Sequence, residues 1–401
     1  MTDQTVPVET AVSPTTSQPT ETTFQTDQVM TIAGGHFVHD TYSAFLSPLL
    51  PVLQERLATN YALTGGLAVF AQIASLLNPF IGHLADKISL RYFIILAPAI
   101  TGTLMSVIGL TSSYIGLALL LFASGISIAA FHAPAPAMVA RVSGDRVGKG
   151  MSIFMAAGEL GRTVGPIVAV AGVNWFGLGG IWRLALVGWL VSGILYVRLR
   201  NVSARPVAVG ERPSWQSILP HAKKVFPVLT WLMLARVFMQ VALTTYLPIF
   251  MSDVLHSSLW LAAASLTILE GAGVVGALAT GTISDRLGRS RVLFYLLGSA
   301  PLFLIAFLYG PSWLALPLLI ALGLTAITPQ PVFLALVQDE FPDNRALANG
   351  LYLAMNFLIR ALAIWVVGLL ADRYGLTNAF LWSALLVFLG LPAVRFLPQK
   401  S

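Results

Sequence analysis

From residue 29 onwards, the chain alternates between long apolar stretches and short polar connections. An α-helix needs about 20 apolar residues to cross the ~30 Å hydrocarbon layer of a membrane. Stretches of that length predict twelve transmembrane helices, at residues 30–55, 61–85, 91–111, 114–140, 149–172, 178–199, 226–250, 259–283, 291–310, 313–338, 346–371 and 377–397. The pattern therefore predicts an all-α integral membrane protein.

Two polar segments divide this pattern. Residues 1–28 are rich in Thr, Pro, Gln and Ser and predict a disordered tail, and they lack the basic start and apolar core of a signal peptide. Residues 201–225 contain three prolines and predict a linker that lies partly on the lipid surface. We therefore expect two six-helix bundles, at residues 29–200 and 226–397.

The composition excludes a soluble protein. Hydrophobic residues make up 56% of the chain and charged residues only 10%, whereas soluble domains carry about a quarter charged residues. The absence of cysteine excludes disulfides and thiolate metal sites. The net charge of +6 is better explained by cytoplasmic loops than by nucleic acid, so we expect lipid contact and no nucleic-acid partner.

The basic residues orient the chain. If the N-terminus is cytoplasmic, the inside segments hold 17 Lys and Arg residues and the outside segments hold only Arg56, Arg183 and Arg373. Cytoplasmic loops carry the excess of basic residues in membrane proteins. The count predicts that both termini and the 201–225 linker are cytoplasmic.

The second half of the chain repeats the first at an offset of 198 to 200 residues. The matching positions include segments 82–91 and 281–291 and two polar pairs inside the spans, Asp40 with Gln240 and Arg162 with Arg360. Two parallel six-span repeats are typical of transporters in which two halves rock about a site near the midplane of the membrane. The repeat predicts pseudo-symmetric bundles and alternating access.

The repeated loop resembles a known motif. Gly82, Asp86 and Arg91 in its first copy and Gly281, Asp285, Arg286 and Arg289 in its second are similar to motif A of the major facilitator superfamily. Segments 35–40, 130–134 and 158–166 resemble the fosmidomycin-resistance branch of drug exporters, and the glycines of 158–166 are similar to the antiporter motif C. The resemblance implies proton-driven export of a small, often anionic compound, and we expect a monomer in a bacterial inner membrane.

Six charged residues fall inside apolar spans, where each costs about 2.5–3.5 kcal/mol unless it is paired, hydrated or in contact with a ligand. They are Asp40, Glu159, Arg162, Arg236, Glu270 and Arg360. Glu159 and Arg162 are i,i+3 on span five and can pair, either as a structural pair or as part of proton coupling. A carboxylate in low-dielectric surroundings is more easily protonated, so Asp40, Glu159 and Glu270, together with Arg162, are the proton-coupling candidates.

The substrate-binding candidates follow from charge and helical spacing. Guanidinium groups stay charged and fork onto carboxylate, phosphate or phosphonate oxygens. The candidates are Arg236 with Gln240 on span seven, Asn356 with Arg360 on span eleven, His36 in a polar stripe with His39 and Asp40, and His132 ahead of Pro134. In the superfamily, spans one, four, seven and ten line a central cavity, and by that resemblance Asp40, His132 and Arg236 face it.

The motif A residues have a different expected role. We expect Asp86 and Asp285 at the start of the following helices, where an acidic residue favours the helix dipole. Each can also pair with basic residues across the cytoplasmic seam between the halves. Because such pairs would hold the cytoplasmic side closed, we expect that breaking them favours inward opening. Plain turn and cap chemistry is the alternative interpretation of these residues.

Several other functions are disfavoured. The chain has no nucleotide-binding signature and no catalytic motif, so we expect neither an ATP-driven pump nor an enzyme. We expect no cofactor beyond the proton gradient and no metal site, since His36 and His39 lack a third ligand nearby in sequence. The same arginines serve export by proton antiport and uptake of an organic anion by proton symport, so both remain open, as does a sensor built on a transporter scaffold.

Overall fold

The computed structural model describes residues 23–77, 80, 81, 84, 87–204, 215–341 and 345–397, with the backbone alone for 75, 215–221, 345–347 and 349. The described residues form helices and contain no β-strand. The α-helices are α1 (Thr26–Ser43), α2 (Leu46–Leu57), α3 (Tyr61–Ile73), α4 (Arg91–Ser106), α5 (Tyr114–His132), α6 (Ala135–Val142), α7 (Val147–Phe176), α8 (Ala185–Leu199), α9 (Trp215–Val241), α10 (Leu247–Asp253), α11 (Leu259–Leu287), α12 (Arg289–Tyr309), α13 (Ala315–Leu322), α14 (Pro329–Glu340), α15 (Arg345–Tyr374) and α16 (Leu376–Gly390).

The twelve predicted spans correspond to these helices. Within the described residues, ten helical segments are long and apolar enough to cross a membrane, from Arg91–Leu110 to Leu376–Phe396. The first predicted span is formed by α1 and α2 together, and the second begins with α3, a shorter apolar helix. The protein is therefore an all-α membrane protein, as the hydropathy pattern predicts.

Spans one, four, seven and ten are each interrupted within their length. The first breaks between α1 and α2, and the fourth breaks between α5 and α6 at 133–134. The seventh and tenth contain π-helical turns, Ala242–Tyr246 and Gly323–Ile327. Broken helices and π-turns concentrate at functional sites, and these are the four spans expected to line the cavity.

Several helix pairs join the halves of the molecule. Helix α3 packs against α15, α7 packs against α11, and α2 packs against both α10 and α11. Large apolar side chains such as Leu186, Trp189 and Leu190 are exposed on the outer surface, where a bilayer would cover them. The seam between the halves is therefore built mainly by the second, fifth, eighth and eleventh spans, with a further contact between the first and seventh.

Some expected boundaries differ from the structure. Helix α1 already begins at Thr26, inside the predicted tail, and α9 begins at Trp215, inside the predicted linker. Asp285 was predicted to start the following helix, but it lies in the last turn of α11. The reason is Gly288, whose φ of 90° ends α11 after Leu287, four residues beyond the predicted end at 283.

Candidate functional site

In the N-terminal half, Asp40 lies at the centre of a buried polar cluster formed by His36, His39, Asp40, His132, Glu159 and Arg162, here called the Asp40 cluster. The Asp40 Oδ2 atom is 2.8 Å from Nη1 of Arg162 and 3.3 Å from Nε2 of His36. Its Oδ1 atom is 3.4 Å from Nε2 of His132 and 3.1 Å from Nδ1 of His39. The predicted pairing of Glu159 with Arg162 is confirmed, and Arg162 thus bridges two carboxylates.

The helix backbone orients two of the histidine rings. The Nδ1 atom of His36 is 2.8 Å from the carbonyl oxygen of Phe154, and Nδ1 of His132 is 2.9 Å from that of Ile128. A carbonyl oxygen only accepts hydrogen bonds, so each Nδ1 carries a hydrogen and each Nε2 points towards Asp40. The two Nε2 atoms are 3.3 Å apart.

Glycines on α7 make this arrangement possible. A Cβ at Gly158 would collide with the ring of His36, and one at Gly161 would collide with the carbonyl oxygen of Phe37. Because neither Cβ is present, α1 approaches α7 closely enough for Asp40 to meet Arg162. The glycines that resemble motif C therefore have a packing role in this protein.

The C-terminal half holds a different arrangement around Arg236. The guanidinium is 2% exposed and donates through Nη2 to Oε1 of Gln330 at 2.8 Å, while its remaining donors, Nε and Nη1, have no hydrogen-bond partner among the described residues. It also lies over the ring of Phe333, and the hydroxyl of Tyr352 donates to the same oxygen of Gln330 at 3.2 Å. Unmet donors on a buried cation are costly, so this site is suited to an anionic ligand.

Arg360 and Glu270 lie between these two clusters. Arg360 donates to the hydroxyl of Thr244 at 2.9 Å, in the π-turn of span seven. Glu270 has neither an ion pair nor a side-chain hydrogen bond within the described part of the chain, but it interacts electrostatically with Arg162 of one half and Arg360 of the other. Glu270 is therefore a carboxylate without a fixed partner at the seam.

The expected orientations are only partly observed. His132 is one-third exposed at its side chain, as expected for a cavity residue, but Asp40 and Arg236 are buried. Gln240 and Asn356 are half-buried, and no side-chain hydrogen bond joins either of them to another described residue. Their assignment as substrate ligands stays a prediction.

The repeat relates the two clusters position by position. His36 and Arg236 are 200 residues apart, and His132 and Gln330 are 198 apart. The contact of His36 with His132 therefore has its equivalent in the hydrogen bond from Arg236 to Gln330. Gln330 was missed as a candidate, although the repeat offset and its place between Pro329 and Pro331 could have identified it.

At the end predicted to be extracellular, hydrogen bonds between the start of α3 and Asp372, Tyr246 and Asp253 join the halves, and we call this group the outer seal. The carboxylate of Asp372 on α15 accepts hydrogen bonds from the backbone N–H groups of Tyr61 and Ala62, at 2.7 and 3.0 Å, and so caps α3. The hydroxyl of Tyr61 donates to Oδ2 of Asp253 at 3.1 Å, and the hydroxyl of Tyr246 donates to the carbonyl oxygen of Tyr61 at 3.4 Å and, within its own half, to that of Ile364 at 2.7 Å. Gly65 leaves room for that hydroxyl, since a Cβ there would collide with it. The sequence offered no charge-spacing signal for the outer seal.

At the other end, the second motif A copy forms an ion-pair network inside its own half. Arg289 lies 3.2 Å from Asp285 and 2.5 Å from Asp339 on α14. The expected pairing of Asp285 across the seam is thus replaced by a contact with the next helix. Gly82 and Asp86 lie outside the described residues, Arg91 stacks over Tyr92, and Gly281 and Arg286 stay gating predictions.

Known proteins were compared with this chain. A family model described as Major Facilitator Superfamily matches residues 32–364. The fosmidomycin resistance protein of Escherichia coli (strain K12) is 26% identical over 92% of each chain, and an uncharacterized MFS-type transporter, YfnC, of Bacillus subtilis (strain 168) is 23% identical over 89% of this chain and 90% of its own.

Solved structures share the fold. A bacterial homolog of the human lysosomal transporter Spinster, in an inward-facing and unoccupied conformation, superposes with a TM-score of 0.77 at 15% identity, over 93% of this chain and 98% of its own. The nucleoside transporter NupG superposes with a TM-score of 0.71 at 17% identity, over 92% and 98%. These relatives are transporters and not enzymes, and the chain belongs to the major facilitator superfamily of membrane transporters.

Proposed function

We propose that this protein is a proton-coupled antiporter that exports a small organic anion from a bacterial cell by alternating access. The observation that carries the proposal is Arg236, a buried guanidinium with two donors that no described residue meets. A second guanidinium, that of Arg360, is close enough to interact electrostatically with the first. Two cations that pair directly with no carboxylate of the described residues favour an anionic substrate at the C-terminal half.

Export is supported by the likeness to a resistance protein that aligns over almost the whole chain. Exchange requires that a proton and the substrate exclude one another at one group. Glu270 is the group best placed to do so, because no described residue pairs with it directly and it interacts electrostatically with both Arg162 and Arg360. A substrate with an anionic group for Arg236 and a hydroxyl or amine donor for Glu270 loses the second contact when Glu270 is protonated.

A second candidate is symport, and the same carboxylate supports it. A substrate without a donor group competes with ionised Glu270 for Arg360. Protonation of Glu270 then strengthens anion binding, so proton and substrate bind together. The sign of the pH effect on binding therefore separates the candidates: antiport predicts tighter binding as pH rises, and symport predicts tighter binding as pH falls.

The proposal is tested with purified protein in liposomes under an imposed pH gradient, with a panel of anionic, zwitterionic and cationic compounds. Movement of the substrate against the proton flux supports antiport, and movement with it supports symport. A protein that moves none of the compounds in either direction contradicts both and favours a membrane sensor.

Arg360→Ala should abolish transport of anionic compounds in this assay, because it removes one of the two central guanidinium groups. Arg183→Gln serves as a matched control, since Arg183 is an exposed cation that stacks on Trp182. Unchanged anion transport in the Arg360→Ala variant would exclude this residue as a ligand.

A further inference from the structure

The Asp40 cluster contains three metal-ligating groups that converge on one point. The ligand atoms of His36, Asp40 and His132 all lie within 4.8 Å of one another. Sequence distance had argued against a metal site, because His36 and His39 have no third ligand nearby. The fold supplies that ligand from α5, almost a hundred residues further along the chain.

The distances fit the edges of a tetrahedral site. The two Nε2 atoms are 3.3 Å apart, Nε2 of His132 is 3.4 Å from Oδ1 of Asp40, and Nε2 of His36 is 3.3 Å from Oδ2 of the same carboxylate. Ligands of tetrahedral zinc, with bonds of about 2.0–2.1 Å, lie about 3.3 Å from one another. No large movement of the backbone is therefore needed to bring these atoms to bonding distance from one ion.

The surroundings of the rings are those of metal ligands. Each ring donates through Nδ1 to a backbone carbonyl oxygen, which fixes its orientation and leaves the Nε2 lone pair directed inwards, as in most histidine metal sites. With neutral rings, two lone pairs and a carboxylate then face one another at close range. A cation between the groups stabilises such a convergence.

The local charge and access also favour a cation. With Glu159, Asp40 and Arg162 ionised, the cluster has one more negative than positive charge. Arg162 holds Oδ2 of Asp40 by an ion pair, whereas Oδ1 faces the imidazoles of His39 and His132, so Oδ1 is the oxygen that an ion can share. The side chain of His132 is 34% exposed, against 3% for His36, so an ion can arrive past His132 and keep one coordination position open there.

We propose that the Asp40 cluster binds a divalent transition-metal ion of the zinc class through Nε2 of His36, Nε2 of His132 and Oδ1 of Asp40. Two imidazoles with one carboxylate and an open fourth position suit zinc or cobalt and exclude magnesium and calcium, which prefer all-oxygen sites. The site is independent of the direction of transport and of the anion site in the other half.

The test is a Co²⁺ titration of the purified full-length protein, with any affinity tag removed, followed by competition with Zn²⁺ and with Mg²⁺. We expect saturable visible absorption bands that Zn²⁺ abolishes and Mg²⁺ does not. His36→Gln and His132→Gln should each weaken binding at least tenfold, by loss of a ligand. His256→Asn, at an exposed histidine with a φ of 50° that Asn tolerates, should leave binding unchanged.

X-ray absorption of the zinc-loaded wild-type protein provides a measurement without variants, in case a substitution prevents folding. Two imidazole ligands at about 2.0–2.1 Å are expected. Fewer than two histidine ligands, equal binding by the His36→Gln and His132→Gln variants, or no binding at millimolar Co²⁺ would each overturn the proposal, the last leaving a proton as the cation at this point. None of these measurements involves transport, so their outcome is independent of whether the protein is an antiporter.

Discussion

The two halves of the molecule place different chemistry at equivalent positions. In the N-terminal half, Asp40 contacts two imidazole nitrogens and the guanidinium of Arg162. In the C-terminal half, the equivalent position is Gln240, which neutralises neither Arg236 nor Arg360. The difference between Asp40 and Gln240 therefore has a direct result. Arg162 of the first half is paired with a carboxylate, whereas the guanidinium of Arg236 in the second half keeps donors that no described residue meets.

The comparison indicates a division of labour. Paired charges hold helices together, because separating them leaves a buried carboxylate without its partner. Unmet donors do the opposite and destabilise the protein until a ligand satisfies them. We infer that the polar groups of the first half mainly support structure and cation binding, and that those of the second half bind the substrate.

The largest expected effect is on stability, from Arg162→Gln. The substitution removes the cation that bridges Asp40 and Glu159, and breaking a buried pair of this kind costs about 3–5 kcal/mol, towards the lower figure here because Arg162 is partly exposed. Arg360→Gln loses one hydrogen bond to Thr244 and should cost about 1 kcal/mol. Thermal unfolding in detergent measures both, and adding Asp40→Asn should partly rescue Arg162→Gln. Equal destabilisation by the two arginine variants contradicts the comparison.

The next effect is on ligand binding, from Arg236→Met. Losing a buried charged anchor typically weakens binding by about 2–4 kcal/mol, or roughly 30- to 1,000-fold. The ligand-free protein should unfold no more easily than the wild type, since the variant removes a buried cation with two unmet donors. Calorimetry with a transported anion measures the loss of binding, and thermal unfolding measures the stability of the ligand-free protein. Arg183→Gln is the control in both. A variant that binds normally, or that unfolds far more easily, would show that Arg236 is structural.

A smaller effect is expected from Gln240→Glu, which gives the second half the acid that it lacks. The new carboxylate lies one helical turn from Arg236 and competes with the substrate for the guanidinium, so anion affinity should fall about tenfold at neutral pH. Affinity should recover at acidic pH, because the protonated group no longer competes. Gln240→Leu removes the amide without adding charge and should show no such recovery in the same binding assay.

The smallest effect concerns the outer seal, through Asp372→Asn. An uncharged side chain caps the N-terminus of α3 less well, by up to about 1 kcal/mol, which shifts the opening of the seal about fivefold. The chain has no cysteine, so the rate at which a single introduced Thr245→Cys reacts with a thiol reagent reports opening. Glu55→Gln, at an exposed acid near the same end, is the matched control, and an equal labelling rate in both would exclude Asp372 from the seal.

Much of the fold was predictable because the bilayer requires long apolar helices, and the repeat was visible in the positions of polar residues within them. The pairing of Glu159 with Arg162 was predictable as well, since both lie on one helix face. The contact of Asp40 with Arg162 was not, because it depends on how closely two helices approach, and that is set by Gly158 and Gly161.

The remaining misses have equally local causes. The expected place of Asp285 was wrong because the pattern does not show how far α11 continues before Gly288 ends it. Gln330 was overlooked because, unlike Gln240 and Asn356, it has no charged residue one helical turn away along the chain. Spacing along the chain thus predicts partners within a helix, while partners between helices depend on packing.

The outer seal has one further consequence, because the groups of the N-terminal half that Asp372 and Tyr246 contact belong to the main chain. Asp372 accepts hydrogen bonds from two backbone N–H groups of α3, and Tyr246 donates to the backbone carbonyl oxygen of Tyr61. Every residue type except proline supplies that N–H group, so substitutions in α3 leave the partners of Asp372 in place. The cavity below can therefore diverge towards new substrates over evolutionary time while the gate above it keeps the same bonds.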